Sequence, residues 1–329
     1  MNIAEVFGVS GKIVARAVIV GALCVAASAA AAQPTPTPAQ LQDAWGAAIA
    51  RTPVPGKGCF TADYPSRTWT AVACTTAPNH RYEPRHGASG YTVGDGNDYT
   101  AVSSGTIASS VGSFSVVKGV TLEEDGTTAN EYSLQLNTQF FSGSPACAKA
   151  AVPAKCLAWQ QFVFAEDDGG YAFMQYWLID YATTCAKGWI KSGKDCYYNS
   201  DAVRVPAQVI KKLKKLKVSG AAVADGLDTM VLTTAKNAYS TTGQDSVVGL
   251  APFWDASEFN VFGDGDGTAA TFNAGAELEV NIAVDDGTTT APTCKADSGT
   301  TAETNNLTLA KKCKTTGGTT PSVSFVESD

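Results

Sequence analysis

Carboxylates and side-chain amides are the groups with which this sequence could do chemistry. The chain has two histidines and contains neither Gly-x-Ser-x-Gly nor His-Glu-x-x-His. These absences argue against a Ser-His-Asp hydrolase and against the commonest zinc peptidases. A carboxyl group in an aromatic groove can have its pKa raised enough to serve as a general acid or base. The acidic candidates are Glu258, Asp264, Asp266, Asp180, Glu277 and Glu279.

Some of these acids also have an ordinary structural explanation. Glu277 and Glu279 alternate with apolar residues in Glu-Leu-Glu-Val-Asn-Ile-Ala-Val, as on the solvent-facing side of a strand. Asp264 and Asp266 stand in Gly-Asp-Gly-Asp-Gly, which fits a turn or oxygen ligands for calcium. The segment lacks the terminal Glu of an EF-hand loop, so a turn is favoured over a metal site.

The cysteines point to disulfides and not to metal binding. Apart from Cys24 the chain has eight, an even number, and no Cys-x-x-Cys. His80 and His86 lie in a Pro/Arg-rich connector, where an exposed loop is favoured over a catalytic or metal-binding role. We predict no metal and no cofactor. Spacing favours disulfides between neighbours: Cys59 with Cys74, Cys147 with Cys156, Cys185 with Cys196, and Cys294 with Cys313.

A β-hairpin over residues 159–181 is the element best placed to position a site. Aromatic and β-branched residues flank Glu-Asp-Asp-Gly-Gly, which predicts strands Trp159–Ala165 and Tyr171–Tyr181. Period-two alternation puts Gln160 on the face opposite Gln161. Amides and tyrosines among large apolar side chains predict a groove on one face. The expected substrate-binding residues are Trp159, Gln175, Tyr176 and Trp177.

The composition divides the chain into five segments. Residues 1–32 are predicted to be a secretory signal peptide, 33–40 a Pro/Thr linker, and 41–89 a small N-terminal cystine-containing segment. A short helix is expected from Gln40 to Arg51. Many short strands at regular spacing in residues 90–286 predict an all-β, two-sheet antiparallel β-sandwich. Residues 287–329 form a Thr/Gly-rich tail with one disulfide. The lysines of Lys211–Lys217 are expected to guard a strand edge and not to form a membrane-binding helix.

The charge and the leader indicate where the protein works. The net charge of −7 disfavours nucleic acid as a partner. A cleaved signal peptide predicts a secreted (or periplasmic) protein with no membrane attachment. We expect a monomer whose partners are extracellular proteins, peptides or glycans.

Four segments carry a family resemblance. They are Asn97–Ala101, Cys156–Gln161, Ala172–Tyr181 and Ala256–Phe262. Their order resembles the glutamic peptidases (eqolisins) and, more loosely, the neprosin-type peptidases. The resemblance implies a secreted, concanavalin A-like sandwich with its active site on a concave sheet face. It also implies a carboxyl group acting as general base on water and an amide stabilising the oxyanion.

The family's catalytic positions are not kept when the segments are read without gaps. The catalytic Glu of the family falls on Phe262, and Leu157 follows Cys156 where the family has its catalytic Gln. A shift of register brings Gln160 or Gln161, and Asp264, into these roles. The resulting catalytic candidates are Gln160, Asp264 and Glu258.

Three functions remain compatible with the sequence. The first is an acid-acting endopeptidase with a carboxylate/amide pair. The second is a non-catalytic sandwich whose aromatic face binds carbohydrate or peptide, and the third is a structural surface protein. An acid beside an amide in a deep groove favours the first, and a shallow aromatic face favours the second.

Overall fold

Strands with buried apolar faces are the main elements of this computed structural model. It describes residues 35–85, 98–167, 169–182, 184–296 and 299–329. The chain divides into the units Met1–Pro36 and Thr37–Asp329, and every element below lies in the second. The predicted signal peptide, the start of the linker, His86 and the start of the predicted sandwich at residue 90 lie outside the described residues. Among the described residues, no helix is long and apolar enough to cross a membrane.

The described residues form one α-helix, α1 (Pro38–Ile49), and four short 3-10 helices at Pro145–Lys149, Pro153–Lys155, Ile210–Lys215 and Asp245–Val247. The strands are β1 (Cys59–Asp63), β2 (Thr70–Val72), β3 (Thr75–Thr76), β4 (Tyr99–Val102), β5 (Ser109–Lys118), β6 (Glu123–Asp125), β7 (Thr128–Ala129), β8 (Tyr132–Thr138), β9 (Leu157–Glu166), β10 (Gly170–Ile179), β11 (Ile190–Ser192), β12 (Asp195–Asn199), β13 (Asp201–Val205), β14 (Lys217–Ala221), β15 (Leu227–Thr233), β16 (Asn237–Gln244), β17 (Ala256–Phe262), β18 (Ala269–Phe272), β19 (Glu277–Asp285), β20 (Thr293–Ala296), β21 (Thr304–Asn305), β22 (Thr308–Thr316) and β23 (Ser322–Ser328).

Two large antiparallel sheets confirm the predicted β-sandwich. The first runs β2-β1-β16-β15-β14-β5-β19-β23-β22. The second runs β11-β12-β10-β9-β8-β17-β4-β20, and β13 extends it from β10 to β3. A small third sheet has the order β21-β18-β6-β7. Segments 41–89 and 287–329 both supply strands to the large sheets.

The core lies between the two large sheets, where rings of one sheet fill glycine positions of the other. A Cβ on Gly112 of β5 would lie 2.0 Å from the Phe259 ring, and one on Gly220 of β14 would lie 2.5 Å from the Phe162 ring. Both rings are fully buried. We call the side of the second sheet that meets this core its inner face, and the opposite side its outer face.

Local sequence signals explain the elements at the N-terminal edge. The Thr37 side chain accepts a hydrogen bond from the Gln40 N–H, and the Gln40 side chain accepts one from the Thr37 N–H, so the helix begins at Pro38. The helix buries Trp45 and Ile49 in a small cluster of their own with residues of β1.

All four predicted disulfides are present, with Cα–Cα distances between 5.3 Å and 6.2 Å. The β9–β10 hairpin is also confirmed, since Gly170 pairs with Glu166 and Ile179 with Leu157. The strand edge predicted over Lys211–Lys217 is wrong. Ile210 and Leu213, three residues apart, are both buried by a 3-10 helix, and β14 begins only at Lys217.

Candidate functional site

A row of polar side chains crosses the outer face of the second sheet. Strand register places Glu258 (β17) opposite Asn137 (β8), Asn137 opposite Gln161 (β9), Gln161 opposite Gln175 (β10), and Gln175 opposite Asn199 (β12). Directly opposed residues of antiparallel strands lie on the same face. These five residues form the polar row, and four of its members carry amides beside one carboxylate.

Apolar side chains border the polar row on both sides. On one side Trp159, Trp177 and Tyr197 are in register, and the Trp177 and Tyr197 rings stack at 5.1 Å. On the other side Val163 opposes Phe173. A polar line between apolar borders is the pattern expected of a ligand-binding groove.

Glu258 is the carboxylate of the polar row and is only 1% exposed. Its Oε2 accepts hydrogen bonds from Asn137 Nδ2 at 3.2 Å and from the Thr300 N–H at 2.6 Å. The Thr300 hydroxyl lies 2.9 Å from the same oxygen. The Gln161 amide donates to Gln135 Oε1 at 3.1 Å, which links it to the same network because Asn137 Nδ2 also reaches that oxygen at 3.3 Å.

Three acceptor oxygens of the polar row have no hydrogen-bond partner among the described residues. They are Glu258 Oε1, Asn137 Oδ1 and Gln161 Oε1, and all three are buried. A buried acceptor without a donor costs about 1–3 kcal/mol. The row therefore keeps capacity for a water molecule or a ligand that the folded chain itself does not use.

Two chain segments, residues 77–85 and 299–303, lie over the polar row, and we call them the cover. Gln175 Oε1 accepts from the Tyr82 N–H at 2.8 Å, and Gln175 Nε2 donates to the His80 carbonyl at 2.9 Å. Thr300 contacts Glu258 as described above. The two segments also join each other, since the Arg85 N–H donates to the Thr300 carbonyl at 2.9 Å.

Glu303 joins the two segments of the cover to each other and to the loop after β17. Its Oε1 accepts hydrogen bonds from the Glu83 N–H and the Gly267 N–H, both at 3.0 Å, and its Oε2 contacts the Thr301 hydroxyl. Burial raises the pKa of Glu303 to about 7, against the opposing effect of these hydrogen bonds.

Gln160 lies on the inner face, away from the polar row. It lies on the same face of β9 as Phe162 and Phe164, which belong to the core between the large sheets. Its Nε2 donates a hydrogen bond to Asp228 Oδ2 at 2.9 Å. Burial raises the pKa of Asp228 to about 7, although the hydrogen bond from Gln160 acts in the opposite direction. Gln160 thus has a carboxylate partner, which is neither Asp264 nor Glu258.

Asp264 lies in the loop after β17, two residues beyond the strand, and contacts the cover. Its Oδ1 accepts a hydrogen bond from the Tyr82 hydroxyl at 2.8 Å, and Tyr82 packs with Val163 and Phe173 of the outer face. Burial raises the pKa of Asp264 to about 8. Gln160 and Asp264 therefore stand on opposite faces of one sheet, and the structure does not bring this pair together.

The predicted substrate-binding residues are all fully buried. Trp159, Gln175 and Trp177 lie on the outer face, where Gln175 contacts the cover. Tyr176 lies on the inner face and stacks on Tyr198 at 6.1 Å. The shallow, exposed aromatic face expected for a glycan-binding surface is not formed by these side chains. These side chains are instead buried on a sheet face that other segments of the chain cover.

The acids with an ordinary structural explanation behave as expected. Buried and half-buried residues alternate along β19, with Glu277 and Glu279 on the less buried side. Asp266 has a φ of 53°, and Gly265 and Gly267 also have positive φ, which confirms a turn. His80, predicted in an exposed loop, is instead half-buried, and its Nε2 lies 3.1 Å from Asp167 Oδ2.

Gln161, Asn137 and Gln135 are site residues that do not appear among the three catalytic candidates derived from the sequence. The sequence offered Gln161 only as an alternative to Gln160. Strand alternation correctly predicted that the two lie on opposite faces, but no local pattern shows which face of the hairpin meets Glu258. Asn137 and Gln135 occupy alternate positions of Tyr-Ser-Leu-Gln-Leu-Asn-Thr, and this polar side of an otherwise apolar strand was the available signal.

Comparison with known proteins gives a distant match. No family model matches the chain, and no curated protein matches it in sequence. Among solved structures, Scytalido-glutamic peptidase with a peptide-based transition-state analogue is 10% identical, with a TM-score of 0.31, covering 70% of this chain and 97% of that chain. The same peptidase with a transition-state analogue inhibitor is 11% identical, with a TM-score of 0.27 and the same coverage. The chain is a β-sandwich protein with a distant resemblance to a glutamic peptidase.

Proposed function

We propose that this protein is an acid-acting endopeptidase whose catalytic face is closed by its own cover. The observation that carries this proposal is the register of Glu258 with Asn137 and Gln161 on one sheet face. Glu258 is the general base that takes a proton from the attacking water. The Gln161 side-chain amide, which donates one N–H to Gln135, donates its other N–H to the oxyanion of the tetrahedral intermediate, and Asn137 positions Glu258.

The geometry of the row supports a peptide as substrate. Glu258 and Gln161 are two strands apart, about 10 Å between backbones at the usual strand spacing. That gap is spanned by Asn137, so a carbonyl group seated over Asn137 is within reach of a water held by Glu258. The apolar borders, Trp159 with Trp177 and Val163 with Phe173, supply surfaces for side chains on either side of the reacting bond.

Burial of the site makes the described form inactive. Glu258 is 1% exposed and Gln161 is fully buried, so no substrate reaches them until the cover moves. The outward movement of residues 299–303 frees Glu258 from Thr300, and the movement of residues 77–85 frees Gln175. The proposed enzyme is therefore latent, and opening precedes catalysis.

The proposed location is outside the cell. Four disulfides persist in oxidising compartments and are rare in the cytosol. We expect the enzyme to act on extracellular proteins or peptides, and the carboxylate/amide chemistry proposed here needs no cofactor.

Hydrolysis of a denatured protein substrate, scanned from about pH 2 to pH 8, tests the proposal. The assay uses the oxidised chain and the double variant Cys294→Ser/Cys313→Ser, in which the loop carrying residues 299–303 is no longer closed by a disulfide. We expect acid hydrolysis in the opened form. Glu258→Gln should reduce it by roughly 10²–10⁴-fold and Gln161→Ala by roughly 10²-fold.

Glu279→Gln is the matched control, because it makes the same change at a half-buried glutamate of the other sheet. Full activity in Glu258→Gln would refute the assignment. Loss of hydrolysis in Gln160→Ala or Asp264→Asn, with Glu258→Gln unaffected, would transfer the catalytic roles to that pair. Absence of hydrolysis in a folded, opened sample, together with retention of peptides, would instead establish the binding function.

A further inference from the structure

A histidine and two aspartates meet where the cover contacts the second sheet. His80 comes from the cover, Asp167 follows β9 at the hairpin turn, and Asp264 follows β17. Each offers one ligand atom, and the three atoms lie within 4.8 Å of one another. His80 Nε2 and Asp167 Oδ2 are 3.1 Å apart, close to the separation of two ligands on one zinc ion, where each bond is about 2.0–2.2 Å.

Asp264 provides an independent indication of a ligand. The residue is only 5% exposed, and its Oδ2 has no hydrogen-bond partner among the described residues, whereas Oδ1 is bound by the Tyr82 hydroxyl. A buried carboxylate oxygen without a donor or a cation is costly. A divalent cation would satisfy this oxygen.

The charges around the cluster also favour a cation. Asp125 and Glu131 add negative charge near Asp264. Of the guanidinium groups nearby, Arg81 is bound to Asp266 at 2.6 Å and to Glu83 at 3.2 Å, and Arg204 lies over the Tyr171 ring at 4.2 Å. Both are engaged with other groups, which leaves a bound cation to compensate the carboxylates of the cluster.

The backbone holds the cluster in place without the ion. The Asp266 N–H donates to the Arg81 carbonyl at 2.6 Å, which ties the loop after β17 to the cover one residue from His80. Gly265 has a φ of 95°, and a Cβ there would lie 2.9 Å from the His80 Cβ. The close approach needs glycine, and it brings the imidazole beside the carboxylate of Asp264.

We propose that His80, Asp167 and Asp264 bind a divalent transition-metal ion of the zinc type, which fastens residues 77–85 of the cover to the second sheet. One imidazole and two carboxylates suit zinc, whereas calcium prefers oxygen ligands alone. Three protein ligands leave a coordination position for water. The proposal does not depend on peptidase activity, because its measurements are of binding and of cover mobility.

Calorimetric titration of the chelator-treated, oxidised chain with Zn²⁺ tests the site, with Ca²⁺ titrated in parallel. Co²⁺, followed by visible absorption, reports on the ligands directly. We expect one equivalent of Zn²⁺ to bind, and roughly tenfold or greater weakening in His80→Ala and in Asp264→Asn. His86→Ala, which removes the other histidine of the chain, should bind as the unmodified protein does.

Hydrogen exchange of the Tyr82 amide measures the fastening of the cover. Zn²⁺ should slow this exchange in the unmodified chain and not in His80→Ala, provided that near-ultraviolet circular dichroism shows both to be folded. His80→Asn serves as a second variant if His80→Ala does not fold. Failure of Zn²⁺ to bind, binding that survives loss of His80, or Ca²⁺ binding of equal strength would each overturn the proposal.

Discussion

The side-chain oxygen of Gln175 accepts a hydrogen bond from the Tyr82 N–H at 2.8 Å, so a strand of the sheet holds the backbone of the cover directly. The same oxygen accepts from Trp177 Nε1 at 2.8 Å, and the amide nitrogen donates to the His80 carbonyl and to Asn199 Oδ1. One glutamine thus satisfies four groups around it. The same hydrogen-bond network therefore joins the cover to the sheet and connects neighbouring positions within the sheet.

Gln175→Leu should loosen the cover and destabilise the fold. Leucine has a similar size, but it leaves the buried Tyr82 N–H and Trp177 N–H without acceptors, at a cost of about 2–4 kcal/mol in the free energy of unfolding. Urea denaturation measures this loss, and hydrogen exchange should show faster exchange of the Tyr82 amide. Gln244→Leu, at an exposed position on β16, should leave both quantities nearly unchanged. Equal effects of the two substitutions would contradict the anchoring role.

Removal of the Cys294–Cys313 disulfide should release residues 299–303 from the polar row. The bridge joins β20 of the second sheet to β22 of the first across a separation of 19 residues. Cys294→Ser/Cys313→Ser should lower the free energy of unfolding by about 3 kcal/mol and should speed exchange of the Thr300 amide.

The matched control is Cys185→Ser/Cys196→Ser, which opens a loop of separation 11 near β11 and β12. We expect a comparable loss of overall stability there. Exchange at Thr300 measured under native conditions should change far less than in the first variant. Protection of Thr300 that is the same in both variants would show that the disulfide does not hold the cover.

Asp228→Asn should flatten the dependence of stability on pH. An aspartate in an unfolded chain titrates near pH 4, and the folded pKa of Asp228 is about 7 because of burial. The folded state therefore binds this proton more tightly than the unfolded state. Protonated Asp228 stabilises the fold below about pH 4, and this stabilisation is lost as the pH rises to about 7. The shift in pKa corresponds to a decrease on the order of 4 kcal/mol in the free energy of unfolding, and Asp228→Asn should abolish this pH-dependent decrease.

Urea denaturation at several pH values between about 3 and 8 checks the slope. Asp225→Asn is the control, because Asp225 is exposed and its positive φ of 57° suits asparagine. Glu303, whose pKa is also raised to about 7, should preserve part of the slope in Asp228→Asn. A slope that is unchanged by the substitution would show that Asp228 titrates normally.

Gly220→Ala should disrupt the contact between the two sheets. The new methyl group would lie 2.5 Å from the Phe162 ring, which is fully buried and cannot move outward, so a loss of about 1–3 kcal/mol is expected. Gly46→Ala makes the same change in α1, where the nearest atom is 3.7 Å away, and should stabilise the protein by about 0.5–1 kcal/mol. Thermal unfolding of both variants gives the comparison, and loss of stability in both would point to a non-specific effect.

The local sequence predicted the elements that depend on residues close together in the chain. The β9–β10 hairpin has its turn residues in sequence, and each disulfide joins neighbouring cysteines, so both were predictable. The helix was also predictable, although it begins at Pro38 and not at Gln40, because the Thr37 capping box extends it backward.

The site depended on contacts that no local pattern specifies. Glu258 is opposite Asn137 because β17 pairs with β8, which are 121 residues apart at this contact. The choice between Gln160 and Gln161 is a choice between the two faces of one strand. Nothing within residues 157–179 says which face meets the core, because the hairpin carries large apolar side chains on both. The cover could not be predicted for a similar reason. Tyr82 and Thr300 contact the polar row but lie far apart in the sequence.

The loop closed by Cys294 and Cys313 also determines how the polar row can be uncovered. A segment attached at both ends cannot diffuse away after it leaves the groove, and its effective concentration at the polar row stays in the range of about millimolar. Opening and closing are then unimolecular, so the open fraction is independent of protein concentration. A peptide ligand must outcompete residues 299–303 at that local concentration, and a cut within residues 295–312 leaves both new ends attached to the molecule.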